Sequence, residues 1–421
     1  MKNNASKNQK MNVKLKNFTE FKILKNKNIN LLNFNNNDKN TYKNIRPIPF
    51  GKPAILGREL QFISEVLESK QLSGDGPFSK RCEAWLQKEL GVQHTFLTHS
   101  GTAALEMAAM LSKVGPGDEV IVPSFTFSST ATAFVLRGAT PVFVDIRSDT
   151  LNIDEKKLEN AITPRTRVVV PVHYAGHACE MDTILQLANA HDLLVIEDAA
   201  QAHQSFYKNR PLGTIGHMGC FSFHETKNII SGEGGALSIN DPQFAERAAI
   251  IREKGTDRSR FFRGEIDKYT WQDIGSSYCP GEVISAFLMA QFEYADQVTK
   301  RRRELYELYQ MGLMGLDKKG HITISKAEGF TVNGHMFWLL VEAEPVRNSL
   351  IAHLNNNAIK SVFHYVPLHS SPAGRHYGRT SEETLPVTDS VSTRLLRLPL
   401  YFGLENDEVE RIVDSIYRFF E

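Results

Sequence analysis

The sequence predicts an α/β protein with a large domain on a mainly parallel sheet, helices on both its faces, and a smaller C-terminal α/β lobe. Three observations predict it. From Thr95 to Asp198 short strand-like runs alternate with helix-like ones, the pattern of a sheet covered on both sides. The helix-like run after Thr102 is apolar almost all round, as a helix buried against a sheet is. The length of 421 residues, with 41% hydrophobic and 23% charged, suffices for one large core and a smaller second one.

Taken in order, residues 1–46 are dominated by Lys and Asn and are too polar to build a core, so a disordered tail is expected. A basic arm for nucleic acid or lipid is the competing reading, weakened by the asparagines that dilute the lysines. The large domain is expected over 47–297. It opens with a helix whose apolar positions are Leu60, Ile63, Val66 and Leu67, then the turn residues Leu72 to Pro77, then a second helix through Trp85 to Leu90. The Gly-rich turn either punctuates the two helices or lines a pocket.

Thr95 to Thr98 is the first strand candidate, followed by Ser100-Gly101-Thr102 and a helix to Leu111. Glu119 to Val122 leads through Ser124–Phe127 into a helical run to Arg137, and Pro141 to Asp145, Val168 to Val172 and Leu193 to Glu197 are further strands. Phe221 to Phe223 and Gly235 to Ile239 read as two more, with Lys227 on the connection between them. The C-terminal lobe, 298–421, is expected to start with a charged helix through Arg301 to Met311. It then mixes strands such as Met336 to Val341 with helices near Ser349 and Glu408.

Charge and cysteines narrow the function classes. A net charge of +1 gives no electrostatic footprint for nucleic acid or an acidic membrane. Cys82, Cys179, Cys220 and Cys279 form no C-x-x-C pair, so neither a disulfide framework nor a zinc knuckle is indicated, and a reducing, cytoplasmic setting is expected. No run of about 18 apolar residues and no apolar signal core occurs, which predicts neither a membrane span nor secretion. His173, His177 and Cys179 have loosely metal-like spacing but no set of carboxylate partners, so no metal is expected.

Ligands of such sheets gather beyond the carboxyl ends of the strands, and several of those ends carry chemistry. Ser100-Gly101-Thr102 at a helix start is either a plain N-cap or a phosphate site made of amides, a hydroxyl and the dipole's positive end. Phe127 either packs in the core or lies on an aromatic ring. Asp198 follows a strongly apolar strand, where an unpaired carboxylate is costly, so it either caps the next helix or meets a cation. Gln201 either reaches toward that ligand or faces solvent. Lys227, five positions after Ser222 and followed by Gly232, Gly234 and Gly235, is either a surface lysine in a Gly-rich hairpin or a held one whose amine turns nucleophilic if burial lowers its pKa.

Together these motifs resemble the aspartate-aminotransferase-like fold (PLP fold type I). Within it they resemble the DegT/DnrJ/EryC1/StrS sugar aminotransferase family. The matching segments are Ser-Gly-Thr-Ala-Ala-Leu105, Pro-Ser-Phe-Thr-Phe127, Val-Asp145, Val-His-Tyr-Ala-Gly176, Glu-Asp-Ala-Ala-Gln201 and Ser-Phe-His-Glu-Thr-Lys-Asn228, in an order that covers all but the tail.

The resemblance implies pyridoxal 5′-phosphate held as a Schiff base on Lys227. Gly101, Thr102, Ala103 and Ser222 would take its phosphate, Phe127 its ring face, Asp198 its ring nitrogen and Gln201 its hydroxyl. Lys227, where dehydratases of the family carry His, implies transamination.

Val-Phe-His-Tyr-Val-Pro-Leu-His369 and the stretch Asp267 to Tyr278 resemble the branch that makes dTDP-4-amino-4,6-dideoxygalactose for lipopolysaccharide or enterobacterial common antigen. That implies an amino group moved from L-glutamate to the C4 ketone of a dTDP-4-keto-6-deoxyhexose, with Arg263, Ser277, His364, Tyr365 and His369 near the sugar. A 3-keto or UDP-linked sugar, or a non-transaminating PLP-binding protein, is the alternative. Arg258, Arg260 and Arg263 either meet a diphosphate or form a solvated loop. Ser277 stands where the family commonly has Asn, and Cys279-Pro280-Gly281 departs from its pattern, so the local loop should differ. A homodimer with shared sites is also implied, Lys227 of one chain meeting residues near Ser277 of the other.

Overall fold

The structure, a computed structural model, describes residues 46–326 and 331–421; the expected polar tail lies outside the described residues except for Arg46. In the large sheet, β1 (His94–Thr98), β2 (Glu119–Pro123), β3 (Thr140–Val144), β4 (Thr166–Val169) and β5 (Leu194–Asp198) alternate with helices, as the sequence rhythm predicts. A small hairpin, β6 (Phe206–Tyr207) and β7 (Arg210–Pro211), precedes β8 (Met218–Ser222) and β9 (Gly235–Ile239). The smaller sheet holds β10 (Ile322–Ile324), β11 (Phe337–Val341) and β13 (Leu395–Leu398), while β12 (Arg379–Thr380) joins the large one.

The large sheet has eight strands in the order β1-β9-β8-β5-β4-β2-β3-β12. All neighbours pair in parallel except β9, which runs antiparallel to both β1 and β8. Because β1 and β8 flank the reversed strand, their ends, with those of β2, β4 and β5, reach the same edge of the sheet. The chain therefore leaves that edge at Ser100, Phe127, His173, Asp198 and Lys227.

Two features were not legible in advance. The helix Glu59–Ser69 buries Phe62 and Val66, an i, i+4 pair, and not the face through Leu60, which is 82% exposed; Phe62 packs on Phe78 with ring centroids 5.3 Å apart. Strand β12, from the C-terminal part of the chain, returns to the large sheet beside β3. Its Arg379 closes a two-pronged ion pair on the buried Glu119 at 2.8 and 2.9 Å, which Arg165 and Thr163 also contact.

The turn after Leu72 is also more than punctuation. Glu282, first residue of the helix Glu282–Phe292, accepts from the amides of Gly76, Phe78 and Ser79, so a carboxylate far along the chain satisfies the free N–H groups starting the helix Pro77–Leu90. The Cys279-Pro280-Gly281 departure lies beneath this turn, where any side chain at Gly74 would run into Pro280 and Cys279.

In the smaller sheet the two faces divide the labour. Leu396, Leu398, Phe337 and Leu339 join the core of the helices Ala295–Lys318, Glu344–Asn356 and Asn406–Phe420. Leu395, Leu340 and Trp338 face the opposite way, into a cluster with Phe125 and Tyr174 from the large-sheet side.

Candidate active site

The site is assembled at the shared strand edge. Ser100 caps the helix Gly101–Leu111, its hydroxyl accepting from the Ala103 amide at 3.0 Å. That cap occupies the Ala103 N–H, which was expected to face a phosphate; the Gly101 and Thr102 amides lie ahead of it in the first turn. Gly101 touches the start of the lysine loop so closely that an added Cβ would sit 2.8 Å from Ser222 Cβ. Gly235, entering β9, is likewise packed against the backbone of Ser100 and Gly101. Gly101, Thr102 and Ser222 thus converge on one spot, and the Thr102 hydroxyl is 2.8 Å from Ser129 Oγ.

Asp198 ends β5 and is buried. It does not act as a simple helix cap: Oδ2 accepts from the Thr130 hydroxyl at 2.7 Å and Oδ1 from the Ala200 amide at 3.1 Å, with no ion-pair partner among the described residues. Burial raises its pKa, while Thr130, Ala200 and the Lys227 charge oppose that rise. Thr130 in turn bonds Thr126 at 2.9 Å. Phe127, on the same connection, is 58% exposed, its ring tilted 6.4 Å from that of Tyr365.

Lys227 sits in a loop closed on itself by Phe223 N–H to Gly234 O, Ser231 N–H to Phe223 O, and Lys227 N–H to His224 O. Its pKa falls to about 8, chiefly through burial of the amine end; Asp198 opposes the fall and the Arg397 charge adds to it. Asn228, next to it, donates to Asn333 O at 2.9 Å and meets His335 Nδ1 at 3.1 Å. Burial holds the His335 and His364 imidazoles well below their ordinary pKa, with the Lys227 charge acting on both.

Gln201 neither faces solvent nor is free. Its Oε1 accepts from the Ala175 amide at 2.7 Å and its Nε2 donates to the Tyr365 hydroxyl at 2.9 Å. His364 stacks on Tyr365 at 3.6 Å and its Nδ1 meets the Tyr174 hydroxyl at 2.6 Å, so this C-terminal pair packs on Tyr174 of the large-sheet side. His369 is anchored further out, between Ser124 at 2.7 Å and Asp389 at 3.3 Å. Arg263 forks onto Glu265 and Ser277 is exposed; within the chain neither hydrogen-bonds to the Lys227 site among the described residues. His173 bonds Glu197 at 2.9 Å and His177 lies near Tyr306 and Ser325, each at 3.4 Å.

Three site residues escaped the sequence reading. Thr130 and His335 carry no signal in a single sequence. Arg397 does carry one: a cation interrupting the apolar strand Leu395–Leu398.

A sequence profile described as the DegT/DnrJ/EryC1/StrS aminotransferase family matches residues 53–417. The chain belongs to this family. Like its members it is a PLP-dependent nucleotide-sugar aminotransferase. Among relatives, it is 35% identical over 379 residues to the spore coat polysaccharide biosynthesis protein SpsC of Bacillus subtilis, covering 88% of this chain and 96% of that protein. It is 32% identical over 376 residues to the GDP-perosamine synthase of Caulobacter vibrioides, covering 88% and 97%. The solved aminotransferase TlmJ of Streptoalloteichus hindustanus superposes with a TM-score of 0.81 at 30% identity, covering 89% of this chain and 98% of that one. The PLP form of Spr1654 from Streptococcus pneumoniae gives 0.81 at 28% identity, with the same coverage.

Proposed function

We propose that this DegT-family aminotransferase moves an amino group from L-glutamate to the C4 ketone of a dTDP-4-keto-6-deoxyhexose, for bacterial surface polysaccharide. The observation that carries the chemistry is Lys227, an amine whose pKa of about 8 leaves it partly neutral at working pH, opposite the buried Asp198. The residues present fit the cofactor. Asp198 has two hydrogen-bond donors but no ion-pair partner among the described residues, an arrangement that suits a pyridinium nitrogen; Phe127 offers an exposed ring; and Gly101, without a side chain, lets the helix start come close to Ser222.

When bound, pyridoxal phosphate supplies the electron sink for charge developing on the substrate carbon. The chain supplies the rest. Lys227 Nζ would take the proton from the donor's α-carbon and, in the second half, deliver a proton to the carbon that was the sugar's C4 ketone. Thr130 and Ala200 would favour the ionised Asp198 against its burial, Gly101, Thr102 and Ser222 would hold the phosphate, and His364 and Tyr365 would line the sugar side.

The C4 position and the dTDP carrier are supported by the resemblance of the loops through Tyr278 and His369 to one branch of the family. A GDP-linked sugar is the second reading, favoured by the relatives described as GDP-perosamine synthases. Incubating the holoenzyme and glutamate with dTDP-, GDP- and UDP-linked 4-keto sugars and a 3-keto sugar, with mass spectrometry of the products, decides among them. Exclusive turnover of a 3-keto or non-dTDP substrate overturns the primary reading.

A homodimer belongs to the same proposal. The loop Arg263 to Tyr278 lies on the connection after the helix Ala245–Arg252, held by Asp257 and the Gly255 backbone, yet it leaves Trp271 80% exposed and Tyr269 half exposed. Aromatic side chains offered to solvent from an anchored loop suit a second copy of the chain.

A further inference from the structure

His203 lies on the connection after β5, two residues past Gln201, and takes no part in the chemistry above. Its imidazole is stacked between Trp85 and Phe292, with ring centroids 5.7 and 6.2 Å away, and the rings of Phe221 and Phe223 stand across it at 6.2 Å each. Burial lowers its pKa to about 4, so the ring is neutral, with one nitrogen a donor and the other an acceptor. Both nitrogens are buried, and neither makes a hydrogen bond among the described residues. Polar atoms so placed call for a partner.

A small cavity supplies the room. Its volume is about 10 Å³, far too small for a pyridine ring but near what one water needs, and His203 lines it together with Gln201, Ser222, Lys227, Asn333 and His335. Polar groups meet there. Asn228 Nδ2 donates to the Asn333 carbonyl at 2.9 Å, which leaves Oδ1 to accept from His335 Nδ1 at 3.1 Å. His335, kept neutral by its burial, is thereby the Nδ1–H tautomer with Nε2 a bare acceptor. The Lys227 amine makes no hydrogen bond among the described residues. Asn333 Nδ2 ties the carbonyls of Gln201 and His203 in place, each at 2.9 Å, so this wall is set.

We propose that this cavity binds one water, which links His203 and His335 to the Lys227 amine and makes His203 a positioning residue for proton transfer. A water donates twice and accepts twice, which matches the bare His335 Nε2, one His203 nitrogen and an N–H of Lys227. During the exchange Lys227 is a free amine with one lone pair, and it must aim that pair at the donor's α-carbon. An N–H given to a fixed water sets the rotation of the amine and so the direction of the pair. The aromatic stack holds His203, and His203 holds the water. The inference rests on the transaminase reading.

High-resolution diffraction from the holoenzyme is expected to show a water within about 3.2 Å of a His203 nitrogen. His203→Phe keeps the stacked ring and removes both polar atoms. It should slow the glutamate half-reaction, followed through the cofactor's absorbance at saturating donor, about tenfold with glutamate affinity unchanged. It should also raise the isotope effect seen with glutamate deuterated at the α-carbon. His203→Gln, which keeps a donor and an acceptor, should recover most of the rate, a rescue that packing alone would not give. His203→Leu makes the same comparison as the Phe variant if that one folds poorly. A cavity without water overturns the proposal. An unchanged glutamate half-reaction in His203→Phe overturns it too, and a raised Tm in that variant would mark a plain unpaired histidine. If the wild type answers another amino acid and not glutamate, the kinetics are read with that donor. A wild type that answers no amino donor overturns the transaminase reading and the positioning role with it, leaving the water to be judged by diffraction alone.

Discussion

The Thr130 hydroxyl donates to Asp198 Oδ2 at 2.7 Å, and the Ala200 amide holds the other oxygen. Burial works against the ionised form of Asp198 and these donors oppose it, which on the proposed function favours the carboxylate that would face the cofactor's ring nitrogen. Removing one hydrogen bond to a charged group costs roughly 1.5–3 kcal/mol. Thr130→Val should therefore lower kcat about tenfold or more and raise the pH at which activity is lost on the acid side, with folding intact. An unchanged acid limb would assign Thr130 a packing role only.

Lys227 gives a second prediction, on pH. Its folded pKa of about 8 is below the ordinary 10.5, so cofactor uptake by the apoenzyme should accelerate about tenfold per pH unit below that value and level off above it. Lys227→Ala should abolish transamination and leave no cofactor attached after borohydride reduction. An uptake rate still climbing at pH 10 would mean an ordinary, solvated lysine.

A third concerns the start of the phosphate-side helix. A methyl at Gly101 would meet Ser222 Cβ at 2.8 Å and its hydroxyl at 3.2 Å, so either the helix start or the lysine loop must give way. Gly101→Ala is expected to weaken pyridoxal phosphate binding at least tenfold while leaving thermal stability of the apoenzyme within a few degrees. Tight binding by the variant would show that the cofactor does not depend on this approach.

The fourth is a stability prediction. Hydrogen bonding to Arg379, then Thr163 and Arg165, outweighs burial and holds the Glu119 carboxyl at about 2, below its ordinary 4.5. A depressed carboxylate contributes stability that is present in full above about pH 4.5 and lost as pH falls toward about 2. Because Arg379 lies on β12, that loss should loosen the returning edge strand from β3 first. Arg379→Ala should flatten the fall of Tm over this window, and an unaltered profile would place the acid sensitivity elsewhere.

What the sequence disclosed follows from what a single chain can encode locally. Strands β2 to β5, β8 and β9 were legible because each is a short apolar run set between turn or helix signals, and their ends brought Gly101, Asp198, Ser222 and Lys227 within the same reading. Strand β12 was not, since two residues have no periodicity and their pairing with β3, like the reach of Arg379 to Glu119 on β2, is made across the fold. The face of the first helix was misjudged because Leu60 and Leu67 share helical spacing with the residues that do pack, and only the position of Phe78 selects Phe62. Thr130 becomes a site residue only once β5 delivers Asp198 to its hydroxyl.

The last prediction tests assembly. Ser277 stands opposite Glu253 in an isolated antiparallel bridge and is exposed, while the Lys227 pocket is lined within the chain by Gln201, Asn333 and His335. If the loop through Trp271 and Ser277 serves a neighbouring copy, Trp271→Ala should shift the sedimentation of the protein from dimer toward monomer and lower activity with it. Co-assembling a Lys227→Ala chain with one carrying a disabled loop at Ser277 then separates shared from self-contained sites. One intact site can form in the mixed dimer only when lysine and loop come from different chains, so activity should return to roughly half the wild-type level per dimer. Two inactive parents that give an inactive mixture would mean that each chain carries its whole site.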